Sequence, residues 1–297
     1  MLTETQVSWN GHSMVGTLKR VLVCSPDRAG WNSPACAALW QELGFHHAVK
    51  VREAAAQHAA LCRQLETAGA DLVSLPAYPD LSLDAVYAHD ASLSTDFGMI
   101  ILRPGKTNRV AESARHREFY ENIGIPVLGE ITSPGAVEAG DMIWLNSGTL
   151  LTGRGYRTNA AGIQQMRELL APKGVEVLAA PLPHGPGPSA CLHLMSLISL
   201  IDENTALVDM PRLAVETLEL LHEHGYTLIE IEPQERETLA CNVLALGNRQ
   251  LLGIEENLRT NDRLRQAGFD VRTFPGNELC INGSGGPTCL TRPLLRL

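Results

Sequence analysis

The sequence predicts an α/β fold of five similar units arranged around an axis. Two recurring patterns and the lack of a break lead to that expectation. Five helical stretches each stop near a glycine that a short apolar strand follows. Between those stops, apolar segments pair up across turns rich in Gly, Asn and Asp. No Pro/Gly/Ser-rich linker divides the series, so residues 1–297 read as one domain.

Taken in order, the chain opens with LKRVLV, an apolar strand at residues 18–23. The helix stops follow as LETAGADLVSLP, YENIGIPVLGE, LAPKGVEVLAAP, HEHGYTLIEIEP and RQAGFDVRTFP, with glycines at 69, 124, 174, 225 and 268. Their spacings are 55, 50, 51 and 43 residues. Glycine tolerates the left-handed conformation just past a helix end, so each segment reads as helix, stop, strand. The paired segments are ASLST-DFG-MIIL, MIWL-NSG-TLLTG, LISLI-DEN-TALV and VLAL-GNR-QLLG, each a predicted hairpin. A unit is therefore hairpin, helix, strand. The C-terminal ELCINGSGGPTCLTRPLL supplies strands that complete the first unit. A closed ring brings equivalent positions together near its axis, so catalytic groups can lie far apart in sequence.

Composition narrows the function classes. Hydrophobic residues make up 44% and charged residues 19% of the 297, an ordinary globular balance. Asp and Glu outnumber Lys and Arg by 33 to 24, a net charge of -9, and no basic run occurs. Nucleic acid is therefore not an expected partner, whereas a cationic small molecule suits the charge. The opening MLTETQVSWNGHSMVG lacks the basic start and apolar core of a secretion signal. No apolar run reaches the ~18 residues of a membrane span; LHLMSLISLI is too short and carries His193. Seven cysteines stand at 24, 36, 62, 191, 241, 280 and 289, an odd number with no CxxC pair. That disfavours a disulfide framework or a zinc ribbon and points to a reducing, cytoplasmic setting.

Four segments place polar groups beside strands expected to be buried: DAVYAHDAS (84–92), GAVEAGD (135–141), CLHLMS (191–196) and GSGGPTCLT (283–291). A buried charge is costly unless paired, so each needs a reason. Cys289 follows three glycines and a proline, a loop that leaves its sulfur accessible. A thiolate attacks readily if a neighbouring charge favours ionisation, and a cationic substrate does so directly. The ordinary alternative is a structural cysteine, the reading given to the other six. His193 interrupts an apolar strand; alone it would be a satisfied core histidine, but beside a nucleophile it is a general acid–base candidate. His116, His184, His222 and His224 lie in polar or loop stretches and read as solvated, while His89 neighbours Asp90. Asp90, Glu138 and Asp141 are the acidic candidates, since a planar guanidinium matches carboxylates edge-on. For Asp141, capping a turn is an equal alternative. Arg109 and Arg157 sit in loop-like RPGKTNR and GRGYRTN, where a rim arginine could hold an α-carboxylate and surface solvation is the commoner fate. Thr158 or Asn159 is placed to cap the next helix. Residues 28–40, with Gly, Asn and Pro, are a candidate lid.

Together EAGD, RTN, HLMS and GGPTC, in this order, resemble the dimethylarginine dimethylaminohydrolases, a branch of the guanidine-modifying superfamily. The likeness runs from LKRVLV to the C-terminus. It implies the five-unit α/β propeller known as the pentein fold, with a central active site. It implies Cys289 as nucleophile, His193 as general acid–base, and Glu138 and Asp90 as carboxylates holding a guanidinium. Asp84 matches a further acidic position near the substrate, and Arg109 and Arg157 match residues gripping the amino acid's carboxylate. The implied reaction cleaves a C–N bond of arginine or an N-omega-methylated arginine through a covalent Cys thiouronium, giving citrulline plus an amine. No metal or organic cofactor is implied, and homo-oligomerisation is left open. His89 departs from the pattern, because the branch typically carries Glu before this Asp. The departure opens the substrate to question and keeps arginine deiminase, arginine dihydrolase and amidinotransferase as alternatives. A non-catalytic ribosome-binding factor of the same fold is the distant alternative.

Overall fold

A computed structural model describes residues 8–185, 187, 188, 190 and 192–297. The chain starts with β1 (Leu18–Val23), a short helix α1 (Pro34–Ala37), the long helix α2 (Val51–Thr67) and β2 (Asp71–Ser74). A hairpin of β3 (Ser92–Thr95) and β4 (Gly98–Ile101) then leads through α3 (Val110–Asn122) to β5 (Val127–Glu130). The same order recurs in β6 (Met142–Asn146), β7 (Thr149–Arg154), α4 (Ala160–Leu170) and β8 (Glu176–Pro181). It recurs again in β9 (Ile198–Asp202), β10 (Thr205–Val208), α5 (Val215–Glu223) and β11 (Thr227–Glu230). The last full repeat is β12 (Leu244–Gly247), β13 (Gln250–Ile254), α6 (Leu258–Gln266) and β14 (Asp270–Phe274), after which β15 (Thr291–Arg296) ends the chain.

Each repeat forms one three-stranded sheet, five in all among the described residues. The first two strands are antiparallel because a tight turn joins them, and the third runs parallel to the second because a helix carries the chain back. β15 pairs antiparallel with β1, so the C-terminal segment contributes one strand to the first sheet and closes the ring. The five expected helix-stop glycines all have positive φ, between 74° at Gly124 and 88° at Gly69, the geometry that lets each chain leave its helix sharply. In the last hairpin Asn248 and Arg249 both adopt positive φ, 52° and 59°, which matches the twist of the strands they join.

Helices pack outside the sheets through one apolar face. α2 buries Ala54, Leu61 and Leu65, and α4 buries Ile163, Met166 and Leu170, spacings of three, four and seven that keep a face toward the core. The first strand of each unit lies innermost: β9 lies beside β12 and β15 beside β3. One internal cavity is lined from β3, β6, β9, β12 and β15 together. The end of each inner strand thus meets its four counterparts at the axis.

Two local expectations change. His116 is not solvated; it is 1% exposed on α3, 3.3 Å from both Ser92 Oγ and the Tyr120 hydroxyl. Its helix has a polar outer face, and that polarity hides one inward position in the sequence. Residues 28–40 are pinned by Trp31, buried against Phe45 with its indole N–H donating to Leu83 O at 3.0 Å. Residues 1–7 and Cys191 lie outside the described residues.

Candidate active site

At one end of the axis, each unit delivers a polar residue just before its inner strand. Asp90 precedes β3, Glu138 precedes β6, His193 precedes β9, Asn242 precedes β12 and Cys289 precedes β15. Asp90, His193, Asn242 and Cys289 line one cavity of about 810 Å³ with Asp84, Arg109 and Arg157. Glu138 sits fully buried behind it, its Oε2 2.7 Å from His193 Nε2. The sequence reading found four of these five; Asn242 was missed. Its signal was positional, because CNVLAL opens the fifth hairpin as the other segments open theirs.

The EAGD segment explains itself residue by residue. Glu138 leads into a 3-10 turn, Ala139–Asp141, and its backbone N–H donates to Thr158 Oγ1 at 3.2 Å. The Ala139 N–H donates to Asp90 O, and the Gly140 N–H donates to Asp90 Oδ1 at 3.0 Å. A Cβ on Gly140 would stand 2.8 Å from His193 Nδ1 and 3.1 Å from Asp90 Oδ1, so no larger residue fits. Asp141 neither faces the cavity nor caps its own turn; its Oδ1 accepts from the Leu194 N–H at 2.9 Å and anchors the His193 turn. Burial pushes the Asp141 carboxyl up to about 6. Asn159, rather than Thr158, caps α4 by accepting from the Gly162 N–H at 2.8 Å.

Both axial carboxylates stay ionised against their burial. Burial raises the Asp90 carboxyl, but Arg109 and His193 outweigh it and hold it well below the usual carboxylate range. Burial likewise opposes ionisation of Glu138, which its hydrogen bond to His193 reverses. With Glu138 a carboxylate, His193 Nε2 is the donor of that bond. The His193 ring also accepts from the Ser196 backbone N–H, and the Ser196 hydroxyl receives the His193 N–H at 3.1 Å, fixing the imidazole's orientation.

The arginines take different places. Arg157 lies at the cavity with its side chain 11% exposed, and its Nη1 bonds both Glu138 oxygens at 3.2 Å. Arg109 is not a rim residue. Its guanidinium is buried, 2.5 Å from Asp90 Oδ2 and 2.8 Å from each Glu112 oxygen. Glu112, absent from the sequence reading, supplies the counter-charge that keeps Arg109 inside. Asp84 is paired with Lys106 at 2.5 Å. His89 faces away from the cavity, its Nδ1 2.8 Å from Thr291 O, and burial pushes its imidazole down to about 3. The turn at residues 42–46, not 28–40, contributes to the cavity wall.

Cys289 is half-buried, and its Sγ lies 3.1 Å from Asn242 Nδ2. The Asn242 carboxamide oxygen accepts from the Thr288 N–H at 3.0 Å, so one side chain fixes both the loop and the sulfur. Gly286 makes this possible, because a Cβ there would reach Asn242 Cγ at 2.6 Å. Burial pushes the Cys24 and Cys62 thiols up to about 12 and 11, and raises Cys36, Cys241 and Cys280 as well. Asp90, Glu138 and His193 present ligand atoms within 4.8 Å of one another, a set that could surround a cation. Arg109 and Arg157 already place positive charge on both carboxylates, which disfavours a divalent ion there.

A family model for arginine deiminase matches residues 76–215 and 209–296. The chain belongs to the arginine deiminase family. Within the family, the N(G),N(G)-dimethylarginine dimethylaminohydrolase of Streptomyces coelicolor is 30% identical over 224 residues, covering 72% of this chain and 76% of that protein. The structure of the Pseudomonas aeruginosa dimethylarginine dimethylaminohydrolase, a cysteine-to-serine variant complexed with citrulline, matches with a TM-score of 0.74 and 26% identity. That match covers 95% of this chain and 100% of the other. The N-terminal domain of ArgZ, a cyanobacterial arginine dihydrolase, has a TM-score of 0.75 at 23% identity over 93% of this chain and 97% of that one, a likeness of fold. This member of the arginine deiminase family is thus a dimethylarginine dimethylaminohydrolase-like pentein, an amidine C–N hydrolase acting on a guanidino group. No helix among the described residues is long and apolar enough to cross a membrane.

Proposed function

We propose that the chain hydrolyses arginine or an N-omega-methylated arginine through Cys289, releasing citrulline and an amine. The observation that carries this reading is the shared cavity of Cys289, His193 and Asp90, with Glu138 hydrogen-bonded to His193 behind it. The substrate guanidinium docks against Asp90 by charge-assisted hydrogen bonds, and the Glu138 carboxylate acts from behind the cavity through His193. The substrate's charge favours ionisation of Cys289, whose thiol proton passes to His193, and the thiolate attacks the central carbon and forms a C–S bond. His193 gives a proton to the departing amine as the C–N bond breaks, leaving a thiouronium. Water then attacks that carbon, His193 takes its proton, and the C–S bond breaks to release the ureido product and the sulfur. Arg157, partly exposed beside Glu138, is the contact proposed for the substrate's carboxylate. Arg109 has its guanidinium turned inward, and its proposed part is to hold Asp90 in place.

The test is Cys289→Ser. It should lower turnover by at least about 10³-fold while circular dichroism and Tm stay those of the wild type. Wild-type turnover in that variant overturns the reading. His193→Ala should accumulate a covalent adduct, seen by mass spectrometry on the peptide carrying Cys289; an adduct on another cysteine overturns the assignment. A panel of arginine, its mono- and dimethyl forms and agmatine fixes the substrate. Dimethylamine with citrulline, ammonia with citrulline, or ornithine each identify a different reaction, and a transferase would require an added amine acceptor.

A further inference from the structure

Behind the catalytic cavity, toward the other end of the axis, lies a second and smaller one of about 30 Å³. A wall one residue thick separates the two. His89 and Thr288 line the small cavity, whereas their neighbours Asp90 and Cys289 line the large one. Val243 and Met195 stand in the same relation to Asn242 and Ser196.

Two arginines of β15, Arg292 and Arg296, enter this small space. Four residues apart on a strand, they face the same side. They are 4% and 5% exposed. Arg292 Nη2 donates to His89 O at 2.5 Å, and Arg296 Nη1 donates to Gly16 O and Ala245 O at 2.6 and 2.9 Å. These are carbonyls, and none carries a counter-charge. The carboxylate that acts on Arg292 is Asp90, already bonded by Arg109 and Gly140; the charge that acts on Arg296 is Arg292, which repels it. Burial lowers Arg292 to about 10 and Arg296 to about 9, so both remain cations at neutral pH. His89 cannot compensate, being neutral or positive. Two buried like charges without an acid between them are costly unless something negative joins them.

The unpartnered atoms of this cavity agree in kind. Arg292 Nε, Arg296 Nε, Trp144 Nε1 and Thr288 Oγ1 are buried without a hydrogen-bond partner, and all four residues line the space. Each of these groups can donate a hydrogen, and the first three can only donate. Water would satisfy the donors but leave the charge. The remaining wall mixes apolar Leu93, Met142, Met195 and Val243 with the neutral polar Asn10, Ser13, Ser94 and Ser199, and it holds no carboxylate. One water needs about 10–15 Å³ of such space, so the cavity admits a guest of one or two water volumes. That is too little for an amino acid. We propose that this cavity is a binding site for a small monovalent inorganic anion of halide size, held between Arg292 and Arg296. The site is independent of the chemistry assigned to Cys289.

The experiment uses the wild-type protein crystallised in sodium bromide. Anomalous scattering should place one bromide within hydrogen-bond reach of Arg292 and Arg296. In solution, chloride and bromide should raise Tm saturably at constant ionic strength, with gluconate as the balancing salt, because a ligand bound only by the folded state stabilises it. Arg296→Met should raise the half-saturating bromide concentration at least tenfold. Arg292→Lys, which keeps the charge, should retain a saturable response. A cavity filled only by water in bromide crystals, or equal Tm responses to bromide and gluconate, would overturn the proposal. Catalytic turnover does not enter either measurement, so its failure leaves the hydrolase reading intact.

Discussion

Gly140 has no room to change. A methyl group there meets the imidazole of His193 and the carboxylate of Asp90 at once. Gly140→Ala is expected to lower kcat by about 10²-fold through displacement of reacting groups and to cost about 1–3 kcal/mol of stability as buried neighbours shift, as steady-state kinetics and urea unfolding of the variant would establish. Asn242 acts on the sulfur itself. Its removal in Asn242→Ala takes away a hydrogen bond that favours a charged sulfur by about 1.5–3 kcal/mol. The pH profile of Cys289 alkylation should then move to higher pH; an unmoved profile would deny Asn242 that part. Residues with unusual chemistry for their surroundings, such as His193 in an apolar strand and Cys289 after glycines, were legible in the sequence. Asn242 was not, because an asparagine before a strand is unremarkable until its four counterparts are seen around it. Arg109 was misplaced for a similar reason: nothing in RPGKTNR announces that Glu112, one turn along, draws the guanidinium inward.

The hairpins and helix stops could be read from the chain because turn residues and apolar spacing mark them locally. Short 3-10 turns carry no such periodicity, and two of them position the site. A bond from the Leu194 N–H to Asp141 fastens those turns, Ala139–Asp141 and Leu194–Ser196, to each other. Asp141→Ala leaves that buried N–H unpaired, a loss of about 1–3 kcal/mol in stability that urea unfolding would measure. Asp141→Asn retains an oxygen acceptor and should recover most of it. Equal losses in the two variants would mean that the anchoring bond is not the cause.

At the scale of the molecule, burial has set up an acid-sensitive core. The imidazoles of His58, His89 and His116 are pushed down by burial to about 4, 3 and 3. A depressed folded value means the stability they contribute is present above ~6.5, their unfolded value, and is lost as pH falls toward the folded values. Asp141, raised by burial to about 6, acts in the opposite sense: its contribution is present below ~4 and lost as pH rises through that value. His116→Asn isolates one imidazole. Between pH 6.5 and 4 the variant should lose about 1.4 kcal/mol less per pH unit than the wild type, read from urea midpoints; parallel slopes would exclude His116 as a source. The ring of units was legible from repeat spacing, but the thinness of its interior partition was not. That thinness has a consequence for insertions and deletions. Adding or removing one residue next to Asp90 or Cys289 would turn the segment over and exchange what the two chambers contain, sending the acid and the thiol toward the arginines. The turn at 42–46 has no such parity to keep, so changes of length should be accepted there and refused at the partition.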